Sequence, residues 1–212
     1  MNMKLHDIAA VQIGYQHRDK AQPISATTGG THRIIQIKDL DIEGRFRQQV
    51  LSRGGTVPYI WTPGLFSVTP AGNSDRYRVG RGDLLFLSRG QRTLAVPVLE
   101  DLEDTIASYY FYVLRPRTER VLPEYLAWFI NQPSAQAHLE SRQLGTYIKT
   151  VPKSALDSME VAVPPLPTQR AIAELERLRQ KEEHAMSRLA AAKRRLADGI
   201  ALEAATARSL EH

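Results

Sequence analysis

The stretch Met159-Glu-Val-Ala-Val-Pro-Pro-Leu-Pro-Thr-Gln-Arg-Ala-Ile-Ala173 decides the fold of this chain. Its first residues place Met159, Val161 and Val163 at a period of two, which is typical of a strand with one buried face. The prolines that follow cannot donate to a sheet or enter a helix interior, and we expect Thr168 to cap a long helix. The stretch therefore separates a globular domain, residues 1–166, from a helix over residues 167–207.

Size and composition indicate a single core and an intracellular chain. The 212 residues are 42% hydrophobic, which is enough for one core plus the appended helix. The lack of cysteine excludes disulfides and cysteine nucleophiles and fits a reducing cytoplasm. No apolar run reaches the roughly 20 residues of a membrane span, and no signal peptide is apparent. We expect a cytoplasmic protein with no membrane contact, whose residues 208–212 form a tail that includes an expression-tag remnant.

The residues before the helix predict an α+β domain that is mixed and mostly β. A helix should open at Pro123, because Leu122, Leu126, Phe129 and Ile130 fall on one helical face and proline suits the first turn. A second short helix is expected over Ser134–Arg142. Short apolar segments separated by turn signals predict the strands, which are Ala9–Ile13, Arg33–Ile37, Asp83–Leu87, Leu94–Leu99 and Ser108–Leu114.

Positive charge is concentrated in residues 45–92, which contain eight arginines and only two acidic residues, Asp75 and Asp83. Arginine is a fork-shaped donor suited to phosphates and guanine edges, so this window indicates a nucleic-acid surface. The alternative is an ordinary solubilising surplus of charge. A second candidate is the loop Leu144–Thr150, which places a glycine, a hydroxyl, an aromatic ring and a cation together. The alternative interpretation of this loop is an ordinary helix-to-strand turn in which Tyr147 and Ile148 are anchors.

The long helix carries an imperfect heptad pattern. Arg179, Glu182 and Lys193 interrupt its a and d positions, which favours a specific, register-fixed coiled-coil partner. The alternative is a helix that folds back along its own domain. The residues we predict to mediate dimerisation are Ile172, Leu175, Leu178, Met186, Leu189, Leu196 and Ile200.

The sequence carries no recognisable catalytic or cofactor signature. The Gly80–Asp83 segment leads into a strand, whereas a phosphate-binding glycine loop should follow a strand and open a helix. The histidines lack metal-ligand spacing, and the acidic run Glu100–Asp104 lies in a polar connection. We therefore expect a binding protein with no catalytic residues, no cofactor and no metal site.

Several motifs together resemble the specificity subunits of type I restriction-modification systems. They are Ile35–Gly44, Val79–Phe86 with Arg89-Gly90, Leu122–Ile130, and Gly145 followed by Lys153–Ala173. The resemblance covers most of the chain. It implies a target-recognition domain with its spacer helix, half of the two-domain arrangement usual for the family, in which Thr168-Gln169 replaces the commoner Glu-Gln pair.

The resemblance implies partners as well as a fold. Each target-recognition domain reads one half of a bipartite site on double-stranded DNA, and the S-adenosylmethionine and nuclease sites belong to the modification and restriction subunits. A half-sized chain would rebuild the two-domain form as a homodimer through antiparallel helices; a fragment of a longer gene is the other interpretation. Two further alternatives are a scaffold or regulator that occupies the methyltransferase without selecting sequence, and a small DNA nuclease with an unrecognised site.

The expected division of labour assigns phosphate contacts to arginines of the 45–92 window and base contacts to loop residues. The first choice for base contacts is the turn that contains Arg89. The second is the loop that contains Tyr147. The full set of predicted DNA-binding residues is Arg45, Arg47, Arg53, Arg89, Gln91, Arg92, Thr146, Tyr147 and Lys149.

Overall fold

The computed structural model describes residues 1–16, 32–39, 67–69, 74–90 and 93–208. It divides the chain into two compact units, Met1–Ala173 and Glu174–His212. The predicted α+β class is confirmed. No helix in the described ranges has the length and hydropathy needed to cross a bilayer.

Nine strands and five α-helices are present in the described parts of the chain. The strands are β1 (Asn2–Lys4), β2 (Ala9–Ile13), β3 (His32–Ile35), β4 (Ser67–Val68), β5 (Leu84–Leu87), β6 (Leu94–Pro97), β7 (Thr105–Ala107), β8 (Phe111–Pro116) and β9 (Glu160–Ala162). The helices are α1 (Leu5–Ile8), α2 (Pro123–Ile130), α3 (Pro133–Glu140), α4 (Lys153–Asp157) and α5 (Leu166–Arg208).

The centre of the first unit is an antiparallel sheet in the order β2-β8-β5-β6. Alternate residues of a strand point to opposite sides of the sheet, and here the residues on each side belong to a separate core. Leu84 and Phe86 join the core that includes α2, α3 and α4, whereas Leu85 joins a second core with Val113 and Val96. This two-sided burial explains why β5 and β8 read as continuous apolar runs in the sequence.

Two smaller sheets complete the unit. Strand β3 pairs antiparallel with β4 and parallel with β7, and β1 pairs antiparallel with β9. In β9 the period-two prediction is confirmed, since Met159 and Val161 are buried while Glu160 and Ala162 are exposed. The N-terminal strand β1 therefore pairs with the strand that immediately precedes α5 in the sequence.

Helix α2 is positioned by its ends as well as by its apolar face. Pro123 occupies the first turn, as predicted, and Leu126 and Ile130 are buried. At the other end the Asn131 side chain accepts a hydrogen bond from the Ala95 N–H and donates one to the Ala95 carbonyl, both at 2.8 Å. Among the strands of the described ranges β6 is the last of its sheet, and there Asn131 supplies a partner for both backbone groups of Ala95.

The start of α5 differs from the prediction. The helix begins at Leu166 rather than at a Thr168 cap, and the Thr168 and Gln169 N–H groups both donate to the Pro165 carbonyl. Pro167 is tolerated because it lies in the first turn, where a backbone N–H has no intrahelical partner in any case. The proline run therefore opens the helix instead of preceding it.

Gln169 joins the first turn of α5 to two other segments. Its side chain is fully buried and accepts a hydrogen bond from the Leu122 N–H at 2.9 Å. It also donates to the carbonyl oxygens of Arg120 and Pro164 at 2.9 and 2.8 Å. One amide thus satisfies three backbone groups, which ties the beginning of α5 to the segment that precedes α2.

Several smaller expectations were wrong at their boundaries. The strand predicted over Arg33–Ile37 ends at Ile35, and a 3-10 turn over Ile37–Asp39 follows, with the Asp39 carboxylate accepting the Gln36 N–H. The strand predicted over Ser108–Leu114 is interrupted by a turn at Tyr109 and Tyr110. Sequence patterning missed β1, α1, β4, β7 and α4, each of which spans only two to five residues.

Candidate nucleic-acid interface and helix surface

Two loops that the sequence singled out separately lie side by side. The Gly90 N–H donates to the Lys149 carbonyl at 3.0 Å, and the Val151 N–H donates to the Ser88 carbonyl at 2.9 Å. Arg89 and Thr150 face each other between these two bonds. We call the surface formed by Ser88–Gly90, Tyr109 and Leu144–Val151 the paired-loop surface. It places Arg89 on one surface with the loop that carries Thr146, Tyr147 and Lys149.

The second of these loops is held in a tight, glycine-dependent turn. Leu144 and Thr150 exchange backbone hydrogen bonds of 2.9 and 2.8 Å. Gly145 has a φ of +96°, and a Cβ there would lie 2.5 Å from the Ile148 carbonyl oxygen, so a larger residue is excluded on two counts.

The tip of this loop is exposed. Tyr147 is 99% accessible, and Ile148 is more than half accessible. The interpretation that these two side chains anchor the turn in the core is therefore wrong. An exposed aromatic ring and an exposed aliphatic side chain beside a lysine instead form a surface suited to contact with another molecule.

Arg89 is oriented by an aromatic ring rather than by a carboxylate. Its guanidinium carbon lies 5.1 Å from the Tyr109 ring centroid, and the Tyr109 and Tyr110 rings are 4.3 Å apart. A hydrogen bond with Tyr110 raises the pKa of the Tyr109 phenol above its usual value, and Arg89 opposes this shift more weakly. The ring therefore stays neutral at physiological pH. Among the residues that the structure describes, no carboxylate is within ion-pair distance of Arg89.

Two other arginines of the 45–92 window, both exposed, make contacts within the chain. Arg78 pairs with Asp104 at 2.8 Å and with Asp75 at 3.1 Å, and these carboxylates raise the pKa of its guanidinium. The Arg76 guanidinium lies 4.6 Å from the centroid of the Tyr77 ring. The expected positive field is therefore partly neutralised by the acidic run that ends at Asp104. Asp104 lies outside the 45–92 window, so a charge count within that window misses its pairing with Arg78.

The Gly80–Asp83 segment is a turn that leads into β5, as the sequence predicted. The Asp83 carboxylate accepts the Gly80 N–H at 3.0 Å, and the Arg115 side chain approaches it to 3.8 Å. Burial raises the pKa of the Asp83 carboxyl, while the Gly80 hydrogen bond and Arg115 lower it less. Its role is to close this turn. In the described ranges, no group of three or more histidine, aspartate or glutamate residues could hold a metal ion.

Five of the predicted DNA-binding residues lie outside the described residues. They are Arg45, Arg47, Arg53, Gln91 and Arg92. The remaining four, Arg89, Thr146, Tyr147 and Lys149, are all on the paired-loop surface. Sequence reasoning missed Tyr109, whose ring supports Arg89. Residues 108–114 were predicted as one continuous strand, so the turn at Tyr109 and Tyr110 was not expected.

Helix α5 presents an apolar face in the unit Glu174–His212. Six of the seven residues predicted to mediate dimerisation are between 51% and 69% exposed; they are Leu175, Leu178, Met186, Leu189, Leu196 and Ile200. Ile172 belongs to the first unit, where it is half-buried against the core. Arg179 at a seam position forms ion pairs with Glu176 and Glu183 of its own helix. Large exposed apolar side chains at heptad spacing are typical of a helix that packs against another helix.

Solved structures show which fold this chain shares. The HsdS subunit from Thermoanaerobacter tengcongensis matches with a TM-score of 0.59 and 18% identity, over 89% of this chain and 44% of that subunit. A chain from a study of complex assembly and conformational transition of the type I R-M system matches with a TM-score of 0.54 and 18% identity, over 89% of this chain and 40% of its own length. The fold is thus that of type I restriction-modification specificity subunits, and the chain spans less than half the length of either one.

The sequence itself identifies the family. The profile described as "Type I restriction modification DNA specificity domain" matches residues 33–181. The chain belongs to this family. No curated protein sequence matches the chain.

Proposed function

We propose that this chain is the non-catalytic DNA-specificity subunit of a type I restriction-modification complex, and that it reads one half of a bipartite DNA site. The observation that carries the proposal is the paired-loop surface. There Arg89, supported by Tyr109, shares a surface with the loop that exposes Thr146, Tyr147 and Lys149. Cationic, hydroxyl and aromatic groups on one exposed surface suit contact with phosphates and bases together.

The proposed mechanism separates positioning from reading. Arg45, Arg47 and Arg53 neutralise phosphates, while Arg89 reads a base edge together with Gln91 and Arg92. The second choice for base contacts is the loop with Thr146, Tyr147 and Lys149. A guanidinium can donate two hydrogen bonds to guanine O6 and N7, and stacking on Tyr109 reduces the conformational freedom that Arg89 would lose on binding. The methyl-transfer chemistry belongs to the modification subunit, and the restriction subunit is a further partner.

The second half of the site is read by a second copy of the chain. Helix α5 carries the apolar face that would join two copies, with the helices antiparallel. Because a two-fold axis relates the two domains, each would read the same half-site in opposite orientation. The proposal therefore predicts a target that is an inverted repeat with a fixed spacer.

Methylation mapping of DNA tests the proposal. We expect the full chain, combined with its modification subunit and S-adenosylmethionine, to direct methylation to one inverted-repeat sequence. Methylation without sequence selection would indicate the scaffold or regulator alternative. Metal-dependent cleavage by the purified chain alone would indicate a nuclease. Either result would overturn the proposal.

Substitution of Arg89 tests its assignment to base reading. We expect Arg89→Ala to weaken binding to the mapped site by about 1 to 3 kcal/mol, because one bidentate base contact is lost. Arg89→Lys should lose a comparable amount, since lysine keeps the charge but not the planar fork or the stacking. Fluorescence anisotropy on the mapped duplex and on a random duplex measures both effects.

The control is Arg170→Ala, which removes an exposed arginine at the start of α5. It should leave the preference for the mapped site unchanged. If Arg89→Ala reduces binding to both duplexes equally, Arg89 contacts phosphate and is removed from the base-reading set.

A further inference from the structure

The interruptions in the apolar face of α5 are themselves complementary. Glu182 occupies a d position and Lys193 an a position, and both are exposed. In an antiparallel pair of helices, a residues of one helix face d residues of the other. Glu182 and Lys193 are equally far from a point between Ser187 and Arg188. A two-fold axis through that point would place each Glu182 opposite the Lys193 of the second copy.

The same axis matches the apolar residues of the seam. It places Leu175 opposite Ile200 of the second copy, and Met186 opposite Leu189. Next to the axis, Ala185 faces Ala192 of the second copy, and such small side chains permit close approach of the helices. The paired segment runs from Leu175 to Ile200 and is about 39 Å long at 1.5 Å per residue.

Arg179 is the one seam charge without an opposite charge across this axis, since it faces Leu196 of the second copy. Its guanidinium is already paired with Glu176 and Glu183 of its own helix. The aliphatic part of an arginine side chain can cover an apolar neighbour while its charged end stays in water. Arg179 is therefore compatible with a position opposite leucine.

Shifting the pairing by one heptad in either direction removes this match. In one direction Glu182 faces Met186 of the second copy, and the two Glu183 side chains face each other. In the other direction Glu182 faces Ile200 and Lys193 faces Leu189. Arg179 then faces Glu203, but its guanidinium is already paired with Glu176 and Glu183 of its own helix. A charge opposite an apolar side chain or a like charge costs stability, so both shifted registers are disfavoured.

We propose that α5 pairs with a second copy of this chain in a single antiparallel register, selected by two symmetry-related ion pairs between Glu182 and Lys193. This inference rests on the proposed homodimer and specifies its register. The register sets the separation of the two recognition domains, and therefore the spacer length of the DNA site. Buried or seam charges that fix register are a known use of polar residues in coiled coils.

Charge reversal tests the register. Glu182→Lys places two lysines opposite each other at two places in the dimer, and Lys193→Glu does the same with glutamates. We expect each single substitution to raise the dimer dissociation constant about tenfold, and the double substitution to return it to within about threefold of wild type. Sedimentation velocity on the full chain, alone and with the modification subunit, measures these constants.

Disulfide formation supplies a second measurement that does not depend on charge. The chain has no cysteine, so Glu182→Cys with Lys193→Cys introduces the only two thiols. Within one helix these positions are about 16 Å apart and cannot bridge, whereas in the proposed dimer they face each other. A control pair, Glu182→Cys with Leu196→Cys, should cross-link poorly.

The outcomes separate the register from the dimer. A wild-type chain that is monomeric both alone and in the complex would remove the homodimer, and the register with it. A stable dimer in which the double charge reversal is no better than the single ones would overturn the register and leave the dimer standing. Efficient cross-linking of the control pair in place of the Glu182 and Lys193 pair would do the same.

Discussion

Replacing Gln169 with alanine is expected to lower the free energy of unfolding of the first unit by about 3 kcal/mol, because three buried backbone groups lose their partner. The Leu122 N–H and the carbonyl oxygens of Arg120 and Pro164 are all satisfied by this one amide. Gln169→Glu should be at least as costly. The carboxylate keeps the size of the side chain and can still accept from Leu122, but it presents negative charge to two carbonyl oxygens.

Urea denaturation followed by circular dichroism measures this effect, with Thr168→Ala as the matched control. Thr168 is the exposed neighbour of Gln169, and a substitution there should change stability by less than about 0.5 kcal/mol. If Gln169→Ala unfolds at the wild-type urea concentration, the amide does not hold the start of α5. Equal losses in Gln169→Ala and Thr168→Ala would indicate a general sensitivity of this turn instead.

Replacing Leu189 with lysine is expected to convert the proposed homodimer to a monomer. Leu189 lies at a d position near the middle of the seam, and the substitution places a lysine there in both copies. Loss of two apolar contacts together with the cost of two charges in the seam should raise the dissociation constant about a hundredfold or more, which corresponds to about 3 kcal/mol. Light scattering at micromolar concentration measures the change in mass.

Leu202→Lys is the matched control for Leu189→Lys. Leu202 is a leucine on the same helix and is exposed to a similar degree, but it lies outside the a and d positions. The control should therefore remain dimeric. A monomeric wild-type chain, or equal dissociation by both variants, would contradict a dimer that forms through this seam.

Neighbouring residues contain enough information for several elements of the fold. Proline at the first turn and apolar spacing predicted α2, period-two alternation predicted β9, and a short apolar segment next to turn signals predicted β2. The long run of helix formers after Pro167 predicted α5. These signals are local, because periodicity and the restrictions of proline act within a few residues.

The candidate interface could not be predicted from neighbouring residues, because it depends on contacts between distant parts of the chain. Arg89, Thr146, Tyr147 and Lys149 were selected as two separate loops, and only backbone hydrogen bonds between residues far apart in sequence bring them together. The neutralisation of Arg78 by Asp104, 26 residues away, is a contact of the same kind and reduced the positive field expected from composition. A charge count along the chain cannot detect either contact.

The type of each long element, the proline-rich junction and the family resemblance followed from the amino-acid order alone. The tertiary structure decided where α5 begins, which arginines remain available and which loops share a surface. The difference has a physical reason. Helix and strand preferences depend on adjacent residues. The bonds that fix the start of α5 and the shared loop surface instead join positions as distant as Ser88 and Val151, 63 residues apart.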